Sequence, residues 1–447
     1  MESFTWKNIF VVLIMTVILT AGVSFALRSK SYFVKQVVAV SINQSESSTI
    51  NLSGNVNQNS LTPIPLPPPQ KLSNPPAIIK SIYMTGYSAG SKSYLNYLSD
   101  LFKKTEINAV VIDVKNSEGN VSYASGAPDV EKYKLSNHAI SDIDTLIRFL
   151  HDKNIYVIGR IAVFEDPKYA KARPELAVYK KAETTDKTKP VLWEDNNGLA
   201  WLDPSSKDAW DYNISLAKDA LYHGFDEVNF DYVRFPTDGK TSNMSFPVWD
   251  GKIAKAEVIK EFFEYVKTNL RNDPPSQNAT AGRGKISVDL FGLTTVNTDD
   301  MGIGQLLESA FENFDYVCPM VYPSHYANGF IGFKNPAEHP YEVIKYSMDS
   351  AIKREKSFIK NEQDTAIKTS EVSGSPASSL QTSTVAPVLI PLGKFRPWLQ
   401  DFNMGADYTS EMVKQEIKAT QDSLGVDFSG FMLWNPSNIY TQGAISK

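Results

Sequence analysis

From residue 78 onward, short apolar runs alternate with stretches of helical period. Runs at 79–85, 108–114, 155–163, 226–233, 285–291, 315–322, 387–391 and 429–434 read as strands. Between them the pattern predicts helices over 92–104, 141–153, 206–223, 254–270, 302–313, 341–357 and 409–424. In the fourth of these, Ile253, Val258, Phe262, Phe263, Val266 and Leu270 fall on one face. Ser141 and Thr409 stand where N-caps belong. Eight strands with helices between them predict an α/β fold, a (β/α)8 TIM barrel, with a doubly wound sheet as the alternative. The folded part exceeds the typical barrel of roughly 250 residues. The excess falls in two insertions. One, 164–204, follows the third strand on the side where active-site loops belong. The other, 359–386, is rich in Ser, Thr, Lys and Gln and is expected to be mobile on the opposite side.

Ahead of this pattern the chain changes character. Residues 9–27 carry no charge and reach the lower end of the length needed to span a bilayer. Residues 1–30 therefore read as a transmembrane anchor or a signal, and Ser24-Phe25-Ala26 offers a cleavage triplet. Arg28, Lys30 and Lys35 outnumber Lys7, which alone would hold the following domain inside. A short tail before a hydrophobic run is the usual layout of an exported protein, so a domain outside the cytoplasm is expected, membrane-anchored or released by cleavage. Residues 31–77, rich in Ser, Asn, Gln and then Pro, read as a disordered linker that stiffens where prolines favour extended chain. The domain proper is expected over 78–447.

The strand over 226–233 is the most informative. Val228, Phe230 and Tyr232 share one face, whereas Glu227, Asn229 and Asp231 share the other. A buried parallel strand is normally apolar on both faces. The exception is a barrel strand whose C-terminal end lines an active site. The same parity recurs elsewhere. Asp113 and Lys115 oppose Val110, Ile112 and Val114, with Glu118 following in the loop. Arg160 opposes Ile161, with Asp166 at the mouth. Ser287 and Asp289 oppose Val288 and Leu290. Later strand ends carry Tyr322, Ser324 and His325, then Arg396, Trp398, Gln400 and Asp401, then Trp434 and Asn435. In a parallel barrel all these ends share one rim. The plainer alternative makes Asp113–Lys115 and Asp231–Arg234 structural ion pairs, since buried charges must be paired.

Composition narrows the chemistry. A net charge of −5 with five histidines gives no sign of a nucleic-acid partner. The lone Cys318 excludes an intramolecular disulfide and a Cys-rich zinc site. There is no phosphate-binding P-loop, no dinucleotide Gly-x-Gly-x-x-Gly and no His-x-x-x-His pair, so neither a cofactor nor a metal is expected. A divalent ion on Asp113, Asp166 and Asp231 is the weaker reading. Several carboxylates around one mouth with aromatic walls suit cleavage of a glycosidic bond, in which one carboxyl protonates the leaving oxygen and a second serves as nucleophile or base. Asp231 is the first candidate, Asp289 its partner on the next strand, and Asp113, Asp166 and Glu118 alternatives for the acid. Lys115, Arg160, Asn229, Arg234, Tyr322, His325, Trp398, Gln400, Trp434 and Asn435 are expected to contact a polysaccharide or oligosaccharide. A barrel that binds carbohydrate without cleaving it, or a structural envelope protein, is the rival reading.

A resemblance supports the barrel. Gly86-Tyr87-Ser88, Val111 to Lys115, Arg160-Ile161, Phe164 to Pro167, Trp201 to Pro204, Phe225 to Pro236, Pro319 to Tyr326, Arg396 to Asp401 and Leu433 to Asn435 follow one pattern in order. Over about 79–441 the chain resembles a bacterial family of glycosyl hydrolase-like domains long labelled as of unknown function. That resemblance implies a TIM barrel distantly similar to the α-amylase-like hydrolases. In those relatives the fourth strand ends in a nucleophilic Asp, two residues after an inward Arg. Asp231 matches the Asp, while Asn229 stands in place of the Arg.

Overall fold

The computed structural model describes residues 67–271, 284–372 and 392–447, with backbone alone for 366–372. Eight parallel strands close into a barrel. They are β1 (Ile79–Met84), β2 (Ala109–Lys115), β3 (Tyr156–Ala162), β4 (Glu227–Asp231), β5 (Lys285–Phe291), β6 (Tyr316–Met320), β7 (Lys394–Phe395 and Trp398–Gln400) and β8 (Gly430–Trp434). β8 pairs with β1, and β7 pairs with both β6 and β8, so no edge is left open. Between the strands run α1 (Lys92–Lys104), α2 (Ile143–His151), α3 (Lys207–Tyr222), α4 (Lys255–Arg271), α5 (Leu307–Phe311), α6 (Pro340–Val372) and α7 (Ser410–Leu424). The doubly wound alternative is thereby excluded.

Helix starts follow their caps. Ser91, Asp142, Ser206 and Thr409 each accept a hydrogen bond from a backbone N–H in the first turn. The cap of α2 is thus Asp142 rather than Ser141. α4 turns Val258, Ile259, Phe262, Phe263 and Val266 onto the barrel, where Phe262 meets Phe164, Trp210 and Phe230. Each such burial is worth about 1.5–3 kcal/mol. Ile253, expected on the same face, precedes the helix and is 48% exposed. α5 is shorter than its apolar pattern suggests, because Gly302 and Gly304 adopt positive φ and unwind the chain ahead of it.

Two expectations move. The apolar run 387–391 lies outside the described residues, and the seventh strand comes later, at Lys394–Phe395 and Trp398–Gln400. Pro397 interrupts that strand, because proline has no N–H to give to the ladder. The insertion expected over 359–386 begins as helix, since α6 continues to Val372, and 373–386 lies outside the described residues.

The other insertion, 164–204, lies at the C-terminal ends of the strands as expected. It carries a short helix (Pro167–Ala172) and buries Trp193 and Trp201. Its Tyr179–Lys180 pairs antiparallel with Met244–Ser245 from the loop after β4. At the opposite end, residues 67–77 of the segment read as linker lie against the barrel. Arg148 donates to the Pro67 carbonyl, and the Leu72 N–H donates to Asp226 Oδ1 at 2.6 Å. The run 9–27 expected to enter a membrane lies outside the described residues. Among the described residues no helix is long and apolar enough to cross a membrane.

Candidate active site

The parity read from the sequence of β4 holds as far as Asp231, whereas Tyr232, expected on the outer face with Val228 and Phe230, turns inward at a positive φ. Val228 and Phe230 pack outward, while Glu227, Asn229 and Asp231 turn into the barrel and meet polar partners at three levels. On the floor, Glu227 pairs with Arg396, and neither is exposed at all. In the middle, Asn229 Nδ2 donates to Ser287 Oγ at 3.0 Å and to Asp289 Oδ1 at 2.8 Å. At the top, Asp231 Oδ2 accepts from Arg160 Nε at 3.0 Å and Nη2 at 2.6 Å. Its Oδ1 accepts the Tyr232 N–H at 2.6 Å. Tyr232 adopts φ +53°, a region costly for a bulky residue, and this turn places its N–H beside the preceding carboxylate.

Above Asp231 and Asp289 opens a cavity of about 400 Å³. Its lining combines Arg160, Asp231, Arg234 and Asp289 with Trp398, Trp434, Tyr322, Tyr326 and His325, and with Phe291, Leu293, Met320 and Tyr232. Such a volume, mostly apolar with a few polar groups, is typical of a small-ligand site. Phe230 pairs with Val288, so Asp231 and Asp289 follow at the same level on neighbouring strands. Their backbones are therefore about 4.8 Å apart.

The carboxyls differ in environment. Burial, and then the charge of Asp231, push Asp289 well above the usual carboxylate range. Its Oδ1 accepts from Asn229 and Trp398, whereas Oδ2 has no partner among the described residues. Burial also raises Asp113, against the pull of Arg160. His325 is lowered by burial, which keeps its ring neutral near pH 7.

The candidates therefore divide. Asp231, Asp289, Arg160, Arg234, Tyr322, His325, Trp398 and Trp434 meet at the cavity. Asn229 lies just beneath it. Asp113 lies behind Arg160, which donates to its Oδ1 at 2.6 Å. Gln400 and Asn435 instead tie loops, to the Phe402 and Asp401 carbonyls respectively. Lys115 and Asp166 are elsewhere: they pair with each other at 2.6 Å, both wholly buried, with the Lys115 ammonium over the Tyr212 ring. Asp166 also caps the Pro167–Ala172 helix. The reason is a bulge between Asp113 and Lys115, which breaks the alternation and turns Lys115 away from Asp113. Neither of the ion pairs considered from sequence forms, because Arg160 takes Asp231 and Arg234 takes Asp238. Among the described residues no three His, Cys, Asp or Glu side chains gather as a metal site.

The sequence points to Asp166 and not to its neighbour Glu165. Glu165 is 3% exposed, has one oxygen without a partner among the described residues and lies beside Asp195. Burial and Asp195 push its carboxyl up to about 8. The only signal was its place in the Phe164 to Pro167 run. Because the folded state favours the protonated form, Glu165 contributes stability at low pH that is lost as pH rises through about 8. The melting temperature is expected to fall between about pH 4.5 and 8 and then to level off, and Glu165→Gln should flatten that fall. An unchanged slope in thermal melts would refute this.

Gly86-Tyr87-Ser88-Ala89-Gly90 has the Gly-x-Ser-x-Gly spacing of a nucleophile elbow. Ser88 instead sits in a single helical turn and donates to Asn438 Oδ1 at 2.6 Å, with no histidine bonded to it. The glycines serve packing: a Cβ at Gly86 would lie 2.2 Å from Ser122 Oγ, and one at Gly90 would lie 1.9 Å from the Ala139 carbonyl oxygen.

A family model described as "Putative glycosyl hydrolase domain" matches residues 81–367 and 376–440, and the chain belongs to this family. Among solved structures, a hypothetical protein from Ruminiclostridium thermocellum is 38% identical over 46% of this chain and 96% of its own, with TM-score 0.39. The glycoside hydrolase domain of PgaB (BpsB) from Bordetella bronchiseptica is 12% identical, with 83% of this chain and 99% of that one covered and TM-score 0.52, which supports the shared fold. The α-galactosidase TtGalA from Thermus thermophilus is 12% identical over 84% of this chain and 61% of its own, with TM-score 0.44. No curated protein matches the sequence.

Proposed function

We propose that this glycosyl hydrolase-like domain cleaves a cell-envelope or extracellular polysaccharide, with Asp289 as proton donor and Asp231 as nucleophile or base. The observation that carries this is the pair itself: two inward carboxyls on neighbouring strands below one aromatic-walled cavity, in unlike environments. Asp231 is held by a guanidinium; Asp289 is buried beside that negative charge and keeps its proton. Pairs pushed apart in this way supply the acid and the base of glycoside hydrolysis. Asp289 would give its proton to the glycosidic oxygen as the bond to the anomeric carbon breaks. Asp231 would either bond that carbon or take a proton from the water that does. Trp434, only partly buried at the cavity, offers ring surface to a sugar.

A non-catalytic sugar-binding barrel is the second reading. It is favoured by the depth of the pair, since Asp231 is 5% and Asp289 1% exposed. The run 9–27 supports an anchor that holds the domain outside the cytoplasm. The test is release of reducing ends from a panel of envelope and extracellular polysaccharides by the full chain, with protease treatment of intact cells to locate the domain. Cleavage supports the enzyme. Saturable binding without cleavage supports the second reading, and protection from the protease counts against the outward location.

A further inference from the structure

Behind the cavity, four consecutive strands each contribute one side chain to a hydrogen-bonded chain. Tyr83 on β1 donates its hydroxyl to Asp113 Oδ2 at 2.6 Å. Asp113 on β2 accepts Arg160 Nη1 on its other oxygen at 2.6 Å. Arg160 on β3 gives its remaining face to Asp231 on β4, through Nε and Nη2 on one oxygen. All four are 5% exposed or less. Asp113 and Tyr83 are absent from the cavity wall, whereas Arg160 and Asp231 belong to it. The chain also reaches the cavity's Trp434, because the Tyr83 ring stacks on that indole at 4.0 Å and 20°. The Arg160 guanidinium lies 5.3 Å from the centre of the same indole.

An arginine side chain alone has many rotamers, and its planar fork gains precision only when several nitrogens are fixed at once. Here Asp113 fixes the nitrogen that Asp231 does not use. Both oxygens of Asp113 are committed, so it has nothing to offer a substrate. We infer that Tyr83 and Asp113 are positioning residues that lock Arg160, which in turn presents Asp231 to the cavity in one orientation. This rests on the glycosidase reading above. It moves Asp113 from the set of candidate acids to the support of the nucleophile or base, and it gives Tyr83 a role beyond packing.

The test uses the full chain and a cleavable polysaccharide from the panel. Asp113→Asn keeps the size of the side chain but removes the charge that Arg160 binds, so the hydrogen bond that locks Nη1 is weakened. Its expected effect is a loss of about 10²-fold in kcat with KM within about twofold, as for a misplaced catalytic group. Removing the Asp113 carboxylate, one of the titratable or charged groups around Asp231 together with Asp289, Glu165, Arg160 and Arg234, should move the acidic limb of the pH profile to lower pH. Tyr83→Phe should lose about tenfold in kcat. A melting temperature that falls while kcat and the pH profile stay put would mean a merely structural role and overturn the inference. Loss in Asp113→Asn as deep as in Asp231→Asn, with the acidic limb abolished, would overturn it too, because Asp113 would then act on substrate itself. A second measurement stands apart from turnover and from the glycosidase reading. The Arg160 Nε–H resonance should be protected from solvent exchange in the wild type and lose at least about tenfold protection in Asp113→Asn. Unchanged protection overturns the inference even if no glycan is cleaved.

Discussion

Asp231→Asn is expected to lower turnover of a cleavable glycan by roughly 10³-fold or more while changing its affinity by less than about tenfold. The substitution removes the negative charge and leaves the shape. Its local cost can be foreseen. Arg160 donates two N–H groups to Oδ2, so the asparagine must turn its oxygen there. Its amide then meets the Tyr232 N–H that formerly donated to Oδ1, a donor against a donor. A small loss of stability should therefore accompany the large loss of rate, and melts recorded beside the kinetics separate the two. Asp289→Asn should behave differently. Loss of a proton donor matters less when the leaving group needs no proton, so an activated aryl glycoside should recover much of the lost rate, whereas it should not rescue Asp231→Asn. Rescue of Asp231→Asn, or wild-type rates in it, would remove Asp231 from the centre of the chemistry.

The barrel was legible because each strand is an apolar run and each helix has its own stripe. The rim was legible because polar residues keep one parity toward strand ends. Asp231, Asp289 and Arg160 were found this way, as the regular ladder through Phe230 and Val288 preserves the alternation. Parity misleads where the ladder is irregular. The bulge after Asp113 reversed Lys115, and beyond the end of β3 parity no longer separates Glu165 from Asp166. The seventh strand was hidden because its inward residues, Arg396, Trp398 and Gln400, are polar or amphipathic and Pro397 breaks the run. Which acid pairs with which base was not legible at all. Arg160 comes from one strand and its two carboxylates from the strands on either side, and such a choice depends on three-dimensional reach rather than spacing.

Arg396→Met should destabilise the fold by about 3–5 kcal/mol, the usual cost of leaving a buried charge without its partner. Arg396 and Glu227 are both 0% exposed on the barrel floor. The guanidinium also lies 4.0 Å from the centre of the Tyr316 ring, so the loss combines charge and packing. Glu227 would keep only Tyr156 at 3.1 Å and Ser287 at 2.5 Å as donors. Adding Glu227→Met to the first change should recover much of the loss, because an apolar pair of similar volume leaves no charge stranded. Urea unfolding of the two single variants and the double variant measures this directly. A loss below about 1 kcal/mol in Arg396→Met would show that Glu227 is neutralised by protonation instead. The floor also reaches the site. Ser287 donates to Glu227 and accepts from Asn229, and Asn229 donates to Asp289. Glu227 thus fixes the direction of the serine hydroxyl, the serine fixes the amide, and the amide fixes Asp289 Oδ1, which leaves the unpartnered Oδ2 to hold the proton. In the double variant Ser287 is free to turn. Its stability should return while the catalytic rate stays reduced, which would distinguish a floor that merely fills the barrel from one that orients the acid above it.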